Sequence, residues 1–127
     1  MAQVFVMDSD LVVRVVLRRI LENAGYDVIE ASSGAEVRDS LSSGQDPDLV
    51  VADLTMPDAA GLDAVDRLRR RQPRTRVIAT YTGTEAADAE EYPSLARSFG
   101  ADCTLAKPFS SGVFLQRLTD LLAEARS

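Results

Sequence analysis

A chain of 127 residues fits one domain, since a core of this size is self-sufficient and a second domain adds at least about 50 residues. Asp plus Glu number 20 against 14 Lys plus Arg, a formal charge of −6, which argues against a broad nucleic-acid footprint; the 46% hydrophobic and 27% charged composition argues against disorder. The single cysteine, Cys103, excludes an intrachain disulfide, and the absence of histidine excludes histidine-based hydrolysis within the chain. No apolar run approaches the roughly 18 residues of a membrane span, and Met-Ala-Gln-Val-Phe-Val lacks the basic start of a signal peptide, so a cytoplasmic setting is expected.

Gln3 to Met7 is an apolar run that ends abruptly in Asp8-Ser9-Asp10, the pattern of a buried strand running into a polar loop. Val13, Val16, Leu17, Ile20, Leu21 and Ala24 then recur at helical spacing, with Gly25 closing the helix. Strand and helix keep alternating: strands over Tyr26 to Glu30, Asp48 to Asp53 and Arg76 to Tyr81, helices over Gly34 to Leu41 and Leu62 to Arg70. Pro93 lacks a backbone N–H, so it is expected to open a fourth helix running through Leu95 to Phe99, with Gly83 to Tyr92 as a loop or separate turn. Asp102 to Ala106 reads as a fifth strand. Phe114, Leu115, Leu118, Leu121, Leu122 and Ala125 form a last helical stripe that Ser110 or Ser111 could cap.

Five strands separated by helices predict an α/β fold: a doubly wound, five-stranded parallel sheet of flavodoxin-like order 2-1-3-4-5, with helices on both faces. Ligands of such sheets bind outside the carboxyl ends of the strands. That edge collects Asp8-Ser9-Asp10, Asp53, Thr80-Tyr81-Thr82 and Lys107-Pro108. Converging carboxylates call for a cation, and hard oxygen ligands select Mg²⁺. A lysine beside them would neutralise an arriving phosphoryl group, which makes Asp53 a candidate nucleophile.

Asp53-Leu54-Thr55-Met56-Pro57-Asp58-Ala59-Ala60-Gly61 resembles the D-x-x-M-P-x-x-x-G segment of the receiver domains of two-component response regulators, the CheY-like superfamily. Gly100-Ala101-Asp102 and Lys107-Pro108-Phe109 resemble that family's G-A-x and K-P-F signatures, and the likeness runs from about Val4 to Leu122. The resemblance implies that Asp53 is the phosphoacceptor, that Lys107 contacts the phosphoryl oxygens, and that Asp8, Asp53 and the Thr55 backbone carbonyl bind Mg²⁺. It also implies a cis bond before Pro108, where the trans preference falls to about 1 kcal/mol. A sensor histidine kinase or histidine phosphotransfer protein would be the donor, and an effector protein or output domain the reader of the modified state.

Several positions depart from the family pattern. Ser9 stands where a second acid is usual, which predicts weakened Mg²⁺ binding; Asp10 is a possible substitute ligand, or else the cap of the first helix. The switch hydroxyl falls to Thr80 or Thr82, and Thr82, followed by Gly83, is the choice here. Thr104 replaces the aromatic usually found three positions before the lysine, so Tyr81 or Tyr92 would have to serve or simply pack. The run Arg67-Arg69-Arg70-Arg71 is expected as a solvated helix end. Cys103 is expected as a small buried hydrophobe.

The expectation is therefore a single receiver domain over residues 1–127 with no output domain, monomeric, with no direct nucleic-acid or membrane contact, catalysing only its own phosphorylation and dephosphorylation. The alternative is a pseudo-receiver that signals by protein contacts alone, supported by Ser9. A haloacid-dehalogenase-like phosphatase would want a hydroxyl at Val12, and a flavodoxin-like electron carrier would want a Ser/Thr/Gly-rich loop where this chain is acidic.

Overall fold

The computed structural model describes residues 2–44, 46–83 and 88–126. Its elements run β1 (Gln3–Met7), α1 (Leu11–Asn23), β2 (Asp27–Ala31), α2 (Gly34–Ser42), β3 (Leu49–Asp53), a short 3-10 turn (Pro57–Ala59), α3 (Ala60–Arg71), β4 (Arg76–Thr82), α4 (Asp88–Ser98), β5 (Cys103–Lys107) and α5 (Ser111–Arg126). The strands are all parallel, in the order β2-β1-β3-β4-β5 that the alternation predicts. The central strands are Val-rich and buried on both faces, as helices above and below a parallel sheet require.

Alternate residues feed two cores. Val4 and Val6 of β1, Leu49 and Val51 of β3 and Ile78 of β4 pack on α1 and α5 through Leu17, Leu21, Phe114 and Leu118. Phe5, Met7, Val50, Ala52 and Val77 face the other way, onto Val37 and Leu41 of α2 and Ala64, Val65 and Leu68 of α3. Parity places Asp53, Thr80, Thr82 and Lys107 on the α1/α5 side, because each continues the residues of that core at a spacing of two.

Helix starts follow local chemistry. Asp10 caps α1 by accepting from the Val12 amide at 2.9 Å, Ser33 caps α2 through the Glu36 amide at 3.2 Å, and Ser110 accepts from the Val113 amide at 3.1 Å at the start of α5. α1 ends at Asn23, with Ala24 as its C-cap and Gly25 beyond in the left-handed region at φ 93°.

Three expectations need correction. α4 begins at Asp88, before Pro93, so Tyr92 is helical rather than in a loop; Thr84 to Ala87 of the expected loop lie outside the described residues. Pro93 falls in the second turn, where it forfeits one hydrogen bond to the carbonyl four residues back. Packing offsets that loss: the Tyr92 ring stacks on Tyr81 with centroids 5.2 Å apart, and Ala96 is buried. Val16, read as a core residue, is half exposed and joins Leu11, Val12 and Val15 in an apolar strip on the outside of α1; only Leu17 and Leu21 of that helix are fully buried. Leu115 is only partly buried, and the Ala125 side chain lies outside the described set.

Arg69 is the third correction. Arg67 and Arg70 lie at the surface as expected, where they pair with Asp63 and Asp66 one turn back, at 3.2 and 3.3 Å. Arg69 turns inward and donates to the carbonyls of Gly100, Thr75 and Pro73 and to Asp102. Asp102 in turn accepts from Arg69 Nη2 at 2.5 Å, from the Val77 amide at 2.8 Å and from Arg76 Nη1 at 3.4 Å. The N-terminal edge of β4 and β5 is thereby tied to the end of α3.

Candidate functional site

Register decides which residues meet at the opposite edge. Met7 pairs with Ala52, so the residues that follow them, Asp8 and Asp53, leave the sheet at the same level; Asp53 itself pairs with Thr80, and Thr82 with Lys107. Both carboxylates are buried, Asp8 at 2% and Asp53 at 3% exposure. The Lys107 ammonium lies between them, 2.5 Å from Asp8 Oδ2 and 3.3 Å from Asp53 Oδ2. Two buried carboxylates against one ammonium leave a formal negative charge at the pocket floor, which burial makes costly. The Lys107–Pro108 peptide bond is cis.

The two oxygens of Asp53 are not equivalent. Oδ1 accepts from the Thr55 amide at 2.9 Å and from Thr55 Oγ1 at 2.6 Å, while Oδ2 faces Lys107. Sequence reading assigned Thr55 only a backbone role and missed this hydroxyl; an Asp followed two residues later by Thr is the local signal that could have shown it, since an Asp side chain readily accepts from the amide two residues on. Asp8 is held on its other oxygen by the Asp10 amide at 2.9 Å, and its carbonyl accepts from Arg14 Nη1 at 2.6 Å. Arg14 is fixed by Glu30 of β2 at 3.3 Å, a contact that sequence spacing gave no means of finding.

Gly61 fits tightly behind the site. A Cβ there would lie 2.2 Å from the Asp53 carbonyl oxygen, so the start of α3 can press against the end of β3 only with glycine at this position. The chain reaches that contact through Asp58 and Ala59, both in the left-handed region at φ 59° and 54°. Between Asp53 and Gly61 the motif is therefore a backbone device that seats the carboxylate.

Mg²⁺ is commonly held by one or two carboxylates, with water and phosphate oxygens completing an octahedron, and Asp8 with Asp53 meets that requirement. No third acid joins them: Ser9 is exposed, Asp10 is exposed and spends Oδ1 on the Val12 amide, and among the described residues no group of three or more acids or thiols is placed to hold a metal. The residues fit a two-carboxylate site.

The remaining sequence candidates separate. Thr82 is exposed at the strand end opposite Lys107, whereas Thr80 is 1% exposed beside Asp53. Thr82 and Lys107 also reach the rim of a groove of about 460 Å³ between α1 and the start of α5, with Val12, Val16 and Phe109 on its walls. Tyr81 and Tyr92 stack on the α4 side of the sheet, away from the carboxylates. Cys103 is partly buried, and desolvation pushes its thiol pKa up, which disfavours the reactive thiolate. Among the described residues no helix is long and apolar enough to cross a membrane.

Residues 4–119 match the family described as the response regulator receiver domain. The chain is 28% identical over 121 residues to a chemotaxis protein CheY homolog of Campylobacter jejuni, covering 94% of this chain and 92% of that protein. It is 32% identical over 120 residues to the aerobic respiration control protein ArcA of Escherichia coli, covering 94% of this chain and 48% of ArcA. It is also 35% identical over 109 residues, 85% of this chain, to a protein-glutamate methylesterase/protein-glutamine glutaminase of Halobacterium salinarum, and spans 30% of that protein's length. Among solved structures, the CheY4 chemotaxis protein of Vibrio cholerae superposes with a TM-score of 0.81 at 26% identity, covering 95% of this chain and 98% of that one. A CheY-like receiver from Methanospirillum hungatei, at 20% identity, shares the fold with a TM-score of 0.87, covering 99% and 97%. With its five-stranded 2-1-3-4-5 sheet and the Asp53 and Lys107 motifs at one edge, the chain belongs to the response regulator receiver domain family, and so to two-component signalling.

Proposed function

We propose that this receiver accepts a phosphoryl group on Asp53 from a phosphohistidine of a sensor kinase or phosphotransfer protein and thereby changes its affinity for an effector protein or output domain. The observation that carries the reading is the partly buried Lys107 ammonium shared by the two buried carboxylates of Asp8 and Asp53. With Thr55 holding Oδ1, the Oδ2 oxygen of Asp53 is the one turned toward that positive charge, and it is the nucleophile. It attacks phosphorus in line; the Asp53 oxygen–phosphorus bond forms, the donor's nitrogen–phosphorus bond breaks, and the electron pair returns to the histidine nitrogen. Lys107 follows the charge onto the phosphoryl oxygens, and Thr82 supplies the switch hydroxyl.

Asp8, Asp53 and the Thr55 backbone carbonyl would hold Mg²⁺, which would supply further positive charge for the phosphoryl oxygens. The chemistry is self-modification, phosphorylation and later hydrolysis, with no turnover of an external substrate. The domain works as a cytoplasmic monomer in this reading, and modification shifts a two-state equilibrium in the loops around the site.

A second reading, a pseudo-receiver acting through contacts alone, draws on Ser9 and on the commitment of Asp10 to capping α1. Intact mass after incubation with acetyl phosphate and Mg²⁺ separates the two. One phosphoryl adduct in wild type and none in Asp53→Asn is the expected result; a folded wild type that takes no adduct from acetyl phosphate across a wide Mg²⁺ range, nor from a cognate kinase, establishes the pseudo-receiver instead.

A further inference from the structure

Two buried side-chain atoms among the described residues have no hydrogen-bond partner: Arg76 Nε and Thr80 Oγ1. Arg76 is paired through Nη1 to Asp102, so its guanidinium is not isolated. Thr80 has no other polar side-chain atom, and it is 1% exposed. A hydroxyl stranded in this way destabilises a fold, and valine, of the same shape, would avoid the loss. Nothing in the packing calls for threonine here: Ile78, two residues earlier on the same face, and Leu105, paired with Thr80 on β5, are both apolar core residues.

The lateral neighbour on β3 is the exception, for it is Asp53. Paired residues of adjacent parallel strands lie on one face about 5 Å apart, within reach of a side-chain hydrogen bond. In the unmodified domain the Asp53 oxygens are already served, Oδ1 by Thr55 and Oδ2 by Lys107, and the Thr80 hydroxyl is left over. Phosphorylation alters that balance. When the Asp53 oxygen–phosphorus bond forms and the donor's bond to phosphorus breaks with its electrons, three phosphoryl oxygens enter a pocket with a single ammonium.

We propose that Thr80 is a second positioning hydroxyl of the site, distinct from Thr82: unpartnered in the resting domain, it donates to phosphorylated Asp53 and prolongs the life of the acyl phosphate. The inference rests on Asp53 being the acceptor. It accounts for a destabilising hydroxyl at a position where the fold itself would be served better by valine, the hydroxyl being satisfied in only one of two states.

The test compares wild type, Thr80→Val and Thr80→Ser after labelling with acetyl phosphate and Mg²⁺ and removal of the donor. Thr80→Val is expected to melt at or above the wild-type temperature while its acyl phosphate decays roughly fivefold faster, the loss of about one hydrogen bond. Thr80→Ser is expected to restore the wild-type lifetime. A wild-type lifetime in Thr80→Val overturns the proposal, as does a lowered melting temperature in Thr80→Val that Thr80→Ser restores, since the hydroxyl would then be bonded already at rest. A wild type that takes no label overturns the reading of Asp53, and this proposal with it; a labelled wild type with an indifferent Thr80→Val overturns this proposal alone.

Discussion

At the N-terminal edge of the sheet Asp102 faces two arginines and a backbone amide, and each of its oxygens is occupied. At the C-terminal edge two carboxylates share one lysine, and a neighbouring hydroxyl has no partner. The chain thus spends its polar groups in two ways. Where two arginines and an amide meet one acid, both oxygens of the Asp102 carboxylate are satisfied as folded, and the cluster serves to lock α3, β4 and β5 together. Where acids outnumber bases and are buried, folding leaves charge and hydrogen-bonding capacity that only an added group can use, which is the condition of a site.

The contrast can be broken at either end. The largest effect is expected for Gly61→Ala behind the C-terminal edge, because the new methyl would overlap the Asp53 carbonyl and force β3 and α3 apart. A loss of about 3 kcal/mol is expected in urea unfolding, together with slower phosphorylation in whatever fraction stays folded. An alanine variant of wild-type stability would show that the motif glycine does not seat the carboxylate.

At the N-terminal edge, Asp102→Ala removes the acceptor of Arg69, Arg76 and the Val77 amide. The expected loss is about 2 kcal/mol, in line with charge-assisted bonds that are partly shielded from solvent. Adduct formation at Asp53 should keep its wild-type rate, measured on the same samples. Slowed adduct formation in a folded Asp102→Ala protein would mean that the two edges are coupled.

The smallest effect sharpens the comparison by asking what an exposed cluster contributes. Glu36 accepts from the amide and hydroxyl of Ser32 at the start of α2, and those bonds hold its pKa below the ordinary 4.5. A carboxyl depressed in the folded state contributes stability above its unfolded pKa and loses it as pH falls through the folded one. Wild type should therefore be slightly more stable than Glu36→Gln at neutral pH, the gap closing below about pH 4. A gap unchanged by acid would place the benefit in packing or helix propensity instead.

The alternation of apolar runs and amphipathic stripes carried the strand order and most element boundaries, because a parallel sheet needs a helix between strands and both patterns are local. The gathering of polar residues at the C-terminal edge was equally legible in outline: Asp8, Asp53 and Lys107 each end an apolar run, and such ends gather on one side of the sheet. Local pattern failed where distant contacts overrode it. Pro93 argued for a helix starting late, yet Tyr92 stacking on Tyr81 sustains a turn before it. Arg69 sits in a basic run and looked solvated, but the turn after α3 brings it against Gly100 and Asp102, some thirty residues on.

Residue order by itself determined which groups could take part: acids, hydroxyls and a lysine at strand ends, with no histidine and one cysteine. Only the tertiary structure decided how they are paired. Lateral register put Thr80, not Thr82, directly beside Asp53, and it put Lys107 between two carboxylates 45 residues apart in sequence. Helix capping drew Asp10 away from the pocket floor. The physical reason is that composition and periodicity record local preferences, whereas the partner of a buried polar group is set by whichever strand lies alongside it.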